Sequence, residues 1–267
     1  MSIITTVAEK SRATQEPGDY TRDGLLYCGQ CHTPKQCRIT VGGRTYTVGC
    51  QCTCAEERYQ ARRQALRQQE QAQRIESLRS RGIQDRALSA CRFARAEETP
   101  QLARCRRYVQ NWDQVQARNL GLLLWGGTGS GKTFAAACVA NELISRGVPT
   151  MITSFPRILS AGYDRQDILT QVREFPLLVI DDLGVERSSD YALETVYLIV
   201  DERYKAKKPL IVTTNLPIET LKNPQNLTYQ RIYDRILELC VPIAFPGPDR
   251  RRTAARSNRE DMAALLQ

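Results

Sequence analysis

Short apolar runs alternate with longer helix-forming stretches in the second half of the chain. These runs cover residues 120–125, 150–153, 177–180 and 210–213. Apolar runs of four to six residues are typical of strands that are buried on both faces. Strands of this kind, separated by helices, indicate a parallel sheet with helices packed on both sides. The pattern therefore predicts an α/β domain, which we place at residues 100–255.

A long polar stretch precedes this domain. Residues 55–81 contain no Pro or Gly and consist mostly of strong helix formers, and Gly82 ends the stretch. Apolar side chains are too sparse to form a wide buried face; they are Tyr59, Leu66, Ile75 and Leu78. We therefore expect a solvated helical connector, with bounds at residues 55–99.

The N-terminal region has the pattern of a β-hairpin. Gly42 and Gly43 lie between two runs rich in β-branched residues, 38–41 and 44–48. A Gly-Gly pair in this position favours a tight two-residue turn. We expect the hairpin to belong to a small module at residues 21–54.

The two ends of the chain carry no strong pattern. Residues 1–20 are polar with a Pro-Gly pair, and we expect a disordered tail there and a second tail at residues 256–267. The N-terminus lacks the basic start and apolar run of a secretory signal. No stretch approaches the roughly 18 apolar residues of a membrane helix. These features predict a cytoplasmic protein.

Charge is concentrated in the connector. The net charge of the chain is +9, and residues 58–108 hold 13 Arg or Lys and 5 Asp or Glu, so 13 − 5 = +8. This excess favours an acidic partner, most simply nucleic acid. The alternative is a solvated helix that stays extended because its charges repel each other.

A glycine-rich loop follows the first apolar run. It fits the pattern G-x-x-x-x-G-K-[ST], lies after the apolar run GLLLW and precedes a helix-forming stretch. In such loops the backbone amides and a helix N-terminus bind phosphate, the lysine reaches the β- and γ-phosphates, and the last hydroxyl ligates Mg²⁺. The sequence therefore predicts an ATP site at Gly126, Gly127, Thr128, Gly129, Ser130, Gly131, Lys132 and Thr133.

Polar residues end the two later strands. Asp181 and Asp182 follow the run at 177–180, and Asn215 follows the run at 210–213. Ligands of open α/β sheets bind at the carboxyl ends of the strands. We expect Asp181 to hold Mg²⁺ through water, Asp182 to polarise the attacking water, and Asn215 to contact the γ-phosphate or that water.

Six of the ten cysteines lie in the small N-terminal module. Cys28 and Cys31 have the C-x-x-C spacing of a structural Zn²⁺ site, and three further cysteines compete for the other two positions: Cys50, Cys52 and Cys54. Cys50 and Cys52 can converge as alternate residues of a strand, whereas Cys54 would use the start of the helix. Cys37 and His32 are also near. The module has little apolar mass for a core, which favours a metal.

The order of these motifs resembles one family. Residues 126–133, 177–187 (LLVIDDLGVER), 211–216 (IVTTNL) and 231–240 (RIYDRILELC) are similar to the DnaC/DnaI-type replicative helicase loaders. This branch of the AAA+ P-loop ATPases also includes IstB-type transposition helpers. The resemblance implies an AAA+ fold over about residues 100–255, preceded here by the zinc module and the connector.

The resemblance also implies roles for individual residues. Asn215 resembles sensor 1, and Arg235 resembles the arginine finger that reaches the ATP of a neighbouring subunit, with Arg231 as the weaker candidate. Arg251 resembles sensor 2, although Arg250 could fill that register. A contact to single-stranded DNA is implied at two further positions, Ser189 and Tyr191.

Three functions fit these motifs. The first is an ATPase that delivers a replicative hexameric helicase to single-stranded DNA, and the zinc module favours it because loaders of the DnaI type place such a module before the ATPase. The second is a transposition helper that shares every ATP motif. The third is an adaptor that binds ATP without hydrolysing it, since Asp182 stands where AAA+ proteins more often have the longer glutamate.

Overall fold

The computed structural model of the protein describes residues 13–160, 165–184, 190–224 and 226–266. The chain divides into two compact units between Ala72 and Gln73. This division lies inside the predicted connector, about 18 residues beyond the boundary that the end of the cysteine pattern indicated.

The first unit contains two antiparallel strand pairs. Strands β1 (Tyr20–Arg22) and β2 (Leu25–Tyr27) form one pair, and β3 (Gln36–Val41) and β4 (Arg44–Gly49) form the other. The second pair is the predicted hairpin. Its turn residues Gly42 and Gly43 have φ values of 59° and 77°, a conformation that favours glycine.

The predicted N-terminal tail and the structure differ at residues 16–20. The carboxylate of Asp19 lies 2.6 Å from Lys35 Nζ, and that of Glu16 lies 3.6 Å from the same nitrogen. Lys35 is buried, so its ammonium group requires acidic partners, and these come from the segment just before β1.

The connector helix is longer than predicted at its N-terminal end. Helix α1 runs over Thr53–Gly82, and almost all of its side chains are exposed. It ends at Gly82, where a Cβ atom would lie 1.9 Å from the carbonyl oxygen of Thr150. Only glycine therefore fits at this close approach of two backbones.

The second unit contains a five-stranded parallel sheet. The strands are β5 (Gly121–Trp125), β6 (Thr150–Ser154), β7 (Leu177–Leu183), β8 (Leu210–Thr214) and β9 (Cys240–Ala244). Their order in the sheet is β6-β7-β8-β5-β9, and every neighbouring pair for which a register is defined is parallel, as predicted. The pattern of apolar runs did not predict β9. This strand contains Pro242, which has no backbone N–H to donate to a neighbouring strand. An edge strand tolerates proline because one of its two sides forms no hydrogen bonds within the sheet.

Helices cover both faces of the sheet. They are α2 (Arg86–Ser89), a 3₁₀ turn (Phe93–Arg95), α3 (Pro100–Gln110), α4 (Trp112–Ala117), α5 (Lys132–Ser145), α6 (Phe155–Ser160), α7 (Arg165–Glu174), α8 (Asp190–Ala206), α9 (Ile218–Lys222), α10 (Leu227–Leu239) and α11 (Arg250–Leu265).

The strands divide their side chains between two cores. Leu122 and Leu124 belong to the core that contains α5, whereas Leu123 belongs to the core that contains α8 and α10. Successive residues of a strand point to opposite faces of the sheet. This alternation explains why the strands appear in the sequence as continuous apolar runs.

One buried arginine joins elements on the second face. Arg203 of α8 has no exposed surface and donates to the carbonyl oxygens of Val172, Phe175, Pro176 and Pro209. These oxygens lie at the end of α7 and just before β7 and β8. Arg203 thereby satisfies backbone acceptors that would otherwise be buried without donors.

The predicted C-terminal tail and the structure also differ. Residues 256–265 continue helix α11, which begins after Asp249. The Asp249 side chain accepts a hydrogen bond from the Arg251 backbone at 3.0 Å, which is a typical N-cap, and good helix formers follow. Across the described residues, no helix has the length and apolar character that crossing a bilayer requires.

Candidate functional site

The glycine-rich loop joins β5 to the N-terminus of α5. Gly126, Gly129 and Gly131 have φ values of 145°, 72° and 97°. A Cβ atom at Gly126 would lie 2.4 Å from the Phe245 carbonyl oxygen, and one at Gly129 would lie 1.7 Å from Asp249 Oδ1. The loop therefore needs glycine both for its backbone angles and for the close approach of its neighbours.

Lys132 lies at the centre of this loop. Its Nζ donates to the carbonyl oxygens of Gly126 at 2.9 Å and Gly127 at 2.7 Å, and to Asn215 Oδ1 at 2.9 Å. Burial lowers the pKa of the Lys132 ammonium, and the nearby carboxylates of Asp182 and Asp181 oppose this shift. The lysine and the predicted sensor 1 residue thus meet across the sheet edge.

Two hydroxyl groups hold the carboxylate of Asp181. Thr133 Oγ1 donates to Asp181 Oδ1 at 2.8 Å, and Thr213 Oγ1 donates to the same oxygen at 2.7 Å. Burial raises the pKa of Asp181, while both hydrogen bonds lower it. A hydroxyl and a carboxylate at contact distance are hard oxygen donors of the kind that Mg²⁺ prefers. The residues present therefore fit a magnesium ion beside the loop.

A bulge separates the two adjacent aspartates. The pairing of β7 with β8 shifts register between Ile180 and Leu183, and Asp182 has a φ of 58°. The Asp182 backbone N–H donates to Thr213 Oγ1 at 3.0 Å. Bulges of this kind redirect side chains beside active sites. Here the two carboxylates have different surroundings: that of Asp181 is held by hydroxyls, while Asp182 lines the open pocket.

A cavity of about 410 Å³ lies beside these groups, and Asp181 is joined to its lining through Thr133 without being part of it. Both candidates for sensor 2 line it, so the structure leaves Arg250 and Arg251 as alternatives. The sequence did not single out three of its lining residues, which precede α3: Arg95, Ala96 and Glu97. They lack a local motif, and only the fold brings them to the loop. The remaining lining residues are Thr128, Gly129, Gly131, Lys132, Thr133, Phe134, Asp182 and Asn215.

Three of the other predicted residues do not line this cavity: Arg231, Arg235 and Tyr191. Arg235 does not line it and pairs with Asp201 at 2.8 Å, while Arg231 is exposed on the same helix, α10. Tyr191 is 61% exposed near the start of α8. Ser189 lies outside the described residues.

Four cysteines converge in the first unit. Their sulfur atoms lie within 4.8 Å of one another, and the residues are Cys28, Cys31, Cys52 and Cys54. Of the three cysteines that competed for two positions, Cys50 is thus the one left out; its Sγ lies 3.4 Å from the Pro34 carbonyl oxygen. The first turn of α1 brings Cys54 to the cluster. Four thiols at this separation are compatible with tetrahedral zinc.

The local hydrogen bonds favour thiolates at one side of the cluster. Backbone N–H groups of Cys31 and Gln30 lower the pKa of Cys28, and the Thr33 hydroxyl lowers that of Cys31. Hydrogen bonds with Cys28 and Cys31, whose thiols lose their protons more readily, raise the pKa of Cys54. The donor set therefore fits a divalent cation, which would stabilise all four thiolates together.

Comparison with known proteins identifies the family. The family described as IstB-like ATP binding protein matches residues 53–257, which is more than half of the chain. The chain belongs to this ATP-binding family. This agrees with the resemblance to DnaC and DnaI seen in the motifs.

Two of the curated relatives are named replicative helicase loaders from Escherichia coli and Bacillus subtilis. The replicative helicase loader DnaC of Escherichia coli (strain K12) is 31% identical over an alignment of 144 residues, and the match covers 51% of this chain and 56% of DnaC. The replicative helicase loader DnaI of Bacillus subtilis (strain 168) is 28% identical over an alignment of 162 residues, and the match covers 54% of this chain and 51% of DnaI. The chain spans about half the length of these curated relatives.

Solved structures support the same fold. A crystal structure of DnaI is 25% identical with a TM-score of 0.52 and covers 62% of this chain and 93% of its own. A crystal structure of the DnaC helicase loader is 22% identical, also with a TM-score of 0.52, and the match covers 61% of this chain and 100% of the DnaC chain. At this identity the similarity supports the fold alone. The parallel sheet flanked by helices is therefore the AAA+ P-loop architecture predicted from the motifs.

Proposed function

We propose that this protein is an ATPase that loads a replicative hexameric helicase onto single-stranded DNA during the initiation of replication. The observation that carries this proposal is the meeting of Lys132, Thr133 and Asn215 around one cavity at the sheet edge, where Thr133 is hydrogen-bonded to Asp181. The relatives DnaC and DnaI, both named replicative helicase loaders, support the choice of process.

Each group at the cavity has a task in ATP hydrolysis. The loop amides and Lys132 bind the phosphates of ATP, and Asn215 contacts the γ-phosphate. Thr133 and Asp181 would hold Mg²⁺, which when bound neutralises charge on the phosphate oxygens. Asp182, redirected by the bulge, accepts a hydrogen bond from the attacking water and orients it. Arg251, or Arg250 in the neighbouring register, contacts the same phosphates from the start of α11.

Arg235 acts on the ATP of a neighbouring subunit. It is not among the residues that line the cavity of its own subunit, which supports a contact with the phosphate of a neighbouring subunit through self-association of the ATPase units. A planar cation at the γ-phosphate stabilises transition-state charge, and supplying it from a neighbour couples hydrolysis to assembly.

We expect Arg235→Ala to leave ATP affinity unchanged and to lower turnover at high protein concentration by about 1,000-fold, since arginine fingers contribute at least this much. Steady-state phosphate release and equilibrium nucleotide binding measure the two effects. Arg231→Ala, an exposed arginine on the same helix, is the matched control and should retain turnover. Unchanged turnover in Arg235→Ala together with a loss in Arg231→Ala would transfer the role to Arg231.

Single-stranded DNA binds beside the ATPase sheet. Ser189 and Tyr191 provide the contact, and the exposed ring of Tyr191 supports it because aromatic faces stack on any base without selecting sequence. The arginines of α1 add a sequence-independent attraction for phosphates.

The four-cysteine cluster holds zinc and stabilises a module that docks onto the helicase. Two short strand pairs with few buried apolar side chains have little core of their own. A metal-bound module of this size is rigid enough to present a binding surface to a partner protein.

Closed circular single-stranded DNA provides the test of loading. A ring-shaped hexamer cannot thread onto a circle without an end, so binding requires that a loader open the ring. We expect the purified replicative helicase of the host to bind the circle only in the presence of this protein and ATP, as measured by co-sedimentation. The Lys132→Ala protein is the control for nucleotide dependence. Helicase binding that does not change on adding this protein would contradict the proposal and favour the transposition helper.

A further inference from the structure

Helix α8 presents a three-residue cradle to Arg235. The cradle consists of Tyr197, Asp201 and Tyr204, which lie on one face of α8 because they are spaced by four and three residues. Asp201 Oδ1 lies 2.8 Å from Arg235 Nη2. The guanidinium carbon lies 4.7 Å from the ring centre of Tyr197 and 5.8 Å from that of Tyr204.

Asp201 is a buried carboxylate with two cationic partners. Its side chain is 8% exposed, and its Oδ2 lies 2.7 Å from Lys205 Nζ while Oδ1 faces Arg235. The hydrogen bond that the Lys205 ammonium donates to Asp201 raises the pKa of Lys205. A buried carboxylate with two ion pairs is held in place more firmly than an exposed one. If it moved away from either cation, its charge would lack a partner in a poorly solvating environment.

The aromatic rings determine the orientation of the arginine. A guanidinium group stacks on aromatic faces and forms cation–π interactions with them, which restricts its plane. Tyr204 is itself held, since its hydroxyl donates to Glu238 at 2.9 Å. Within the described part of the chain, Asp201 is the only carboxylate that forms an ion pair with Arg235. Arginine has five N–H donors, so donors remain for a second ligand, and its side chain is 26% exposed.

We propose that Asp201 is the positioning residue for Arg235 and that Tyr197 and Tyr204 complete its cradle. This inference rests on the proposed function, in which Arg235 contacts the ATP of a neighbouring subunit. A long side chain loses rotamer entropy when it is fixed, and the cradle imposes this loss before the subunits meet. The guanidinium then reaches the neighbour's γ-phosphate already oriented, which is the condition for stabilising transition-state charge.

Asp201→Ala is expected to reduce kcat by about 100-fold, the scale of a misplaced catalytic group, and to leave the dissociation constant of ATP unchanged. Lys205→Ala is the matched control: it removes the other ion pair of Asp201 but keeps the one to Arg235, and its kcat should stay near that of the unmodified protein. Asp201→Asn, which preserves side-chain shape, replaces Asp201→Ala if that protein is unstable to heating. Normal kcat in the Asp201 variant that is folded overturns the inference.

A subunit-mixing experiment separates positioning from a general structural effect. Lys132→Ala subunits keep Arg235 and its cradle but lack the lysine that binds phosphate, while Asp201→Ala subunits keep their own ATP site. If Asp201 acts through Arg235 in trans, the mixture should hydrolyse ATP faster than the sum of the two proteins measured separately. Arg235→Ala mixed with Lys132→Ala provides the reference for complementation.

The outcomes distinguish the inference from the proposed function. Complementation by both Asp201→Ala and Arg235→Ala supports the positioning role. Complementation by Arg235→Ala alone overturns the role of Asp201 and leaves the finger acting in trans. Complementation by neither overturns the action of Arg235 in trans, and the inference falls with it.

Discussion

Lys132→Ala is expected to lower the affinity for ATP by about 100-fold or more. The Lys132 ammonium is the buried cation at the centre of the glycine-rich loop, where it already contacts two loop carbonyl oxygens and Asn215. Its hydrogen bonds to phosphate would be charge-assisted, and each contributes about 1.5–3 kcal/mol. Loss of two such bonds corresponds to at least a hundredfold change in the dissociation constant, at about 1.4 kcal/mol per factor of ten. Equilibrium titration with a fluorescent ATP analogue measures this dissociation constant.

A surface lysine provides the control for this prediction. Lys222→Ala removes an exposed ammonium whose ion pair with Glu219 spans 3.4 Å, and ATP affinity should not change. Thermal unfolding of the Lys132→Ala protein without nucleotide checks that the loop change leaves the domain folded. A folded Lys132→Ala protein with normal ATP affinity would remove the nucleotide site from this loop.

Cys52→Ser is expected to abolish the binding of zinc, while Cys50→Ser should leave it at about one ion per chain. The two cysteines are separated by one residue, yet only Cys52 belongs to the four-sulfur cluster. Removing one of four thiolates opens a closed tetrahedral site, and structural zinc contributes about 10 kcal/mol or more to the folding of small modules. Elemental analysis of the purified proteins measures the metal content.

The same pair of variants tests the link between metal and folding. The first unit has few buried apolar side chains, so loss of zinc in Cys52→Ser should increase proteolysis of residues 13–54 and leave the ATPase unit resistant. Chelator treatment of the Cys50→Ser protein should have the same effect. Equal zinc content in the two variants would show that the sulfur cluster is not the metal site.

The parallel sheet could be predicted because its local pattern is strong. Strands that are buried on both faces appear as continuous apolar runs, and four of the five strands have such a run. The fifth, Cys240–Ala244, lies at the sheet edge and contains Pro242, so its pattern is interrupted. The extent of α11 was missed because polar residues with good helix propensity resemble a tail when no apolar face marks them.

The nucleotide site could be predicted only where its residues form contiguous motifs. The loop at residues 126–133, the aspartate pair and Asn215 each follow a strand, and the carboxyl ends of parallel strands meet at one edge. Thr213 belongs to the resembling segment 211–216 but was assigned no role, and only the structure shows that its hydroxyl holds Asp181. Arg95 and Glu97 enter the cavity from a segment before α3 that has no motif.

The sequence by itself determined that the sheet is parallel, in which order the phosphate-binding motifs follow, and that a cysteine-rich module is present. Each of these features depends on residues that lie close together in the chain. Only the tertiary structure decided that Cys52 and Cys54 rather than Cys50 join Cys28 and Cys31, and that Arg235 rests against Asp201. These choices depend on where one strand or helix packs against another. The spacing of residues along the chain does not specify that geometry, because the same sequence pattern is compatible with more than one pairing of strands and helices. Packing of the buried faces selects one of these pairings.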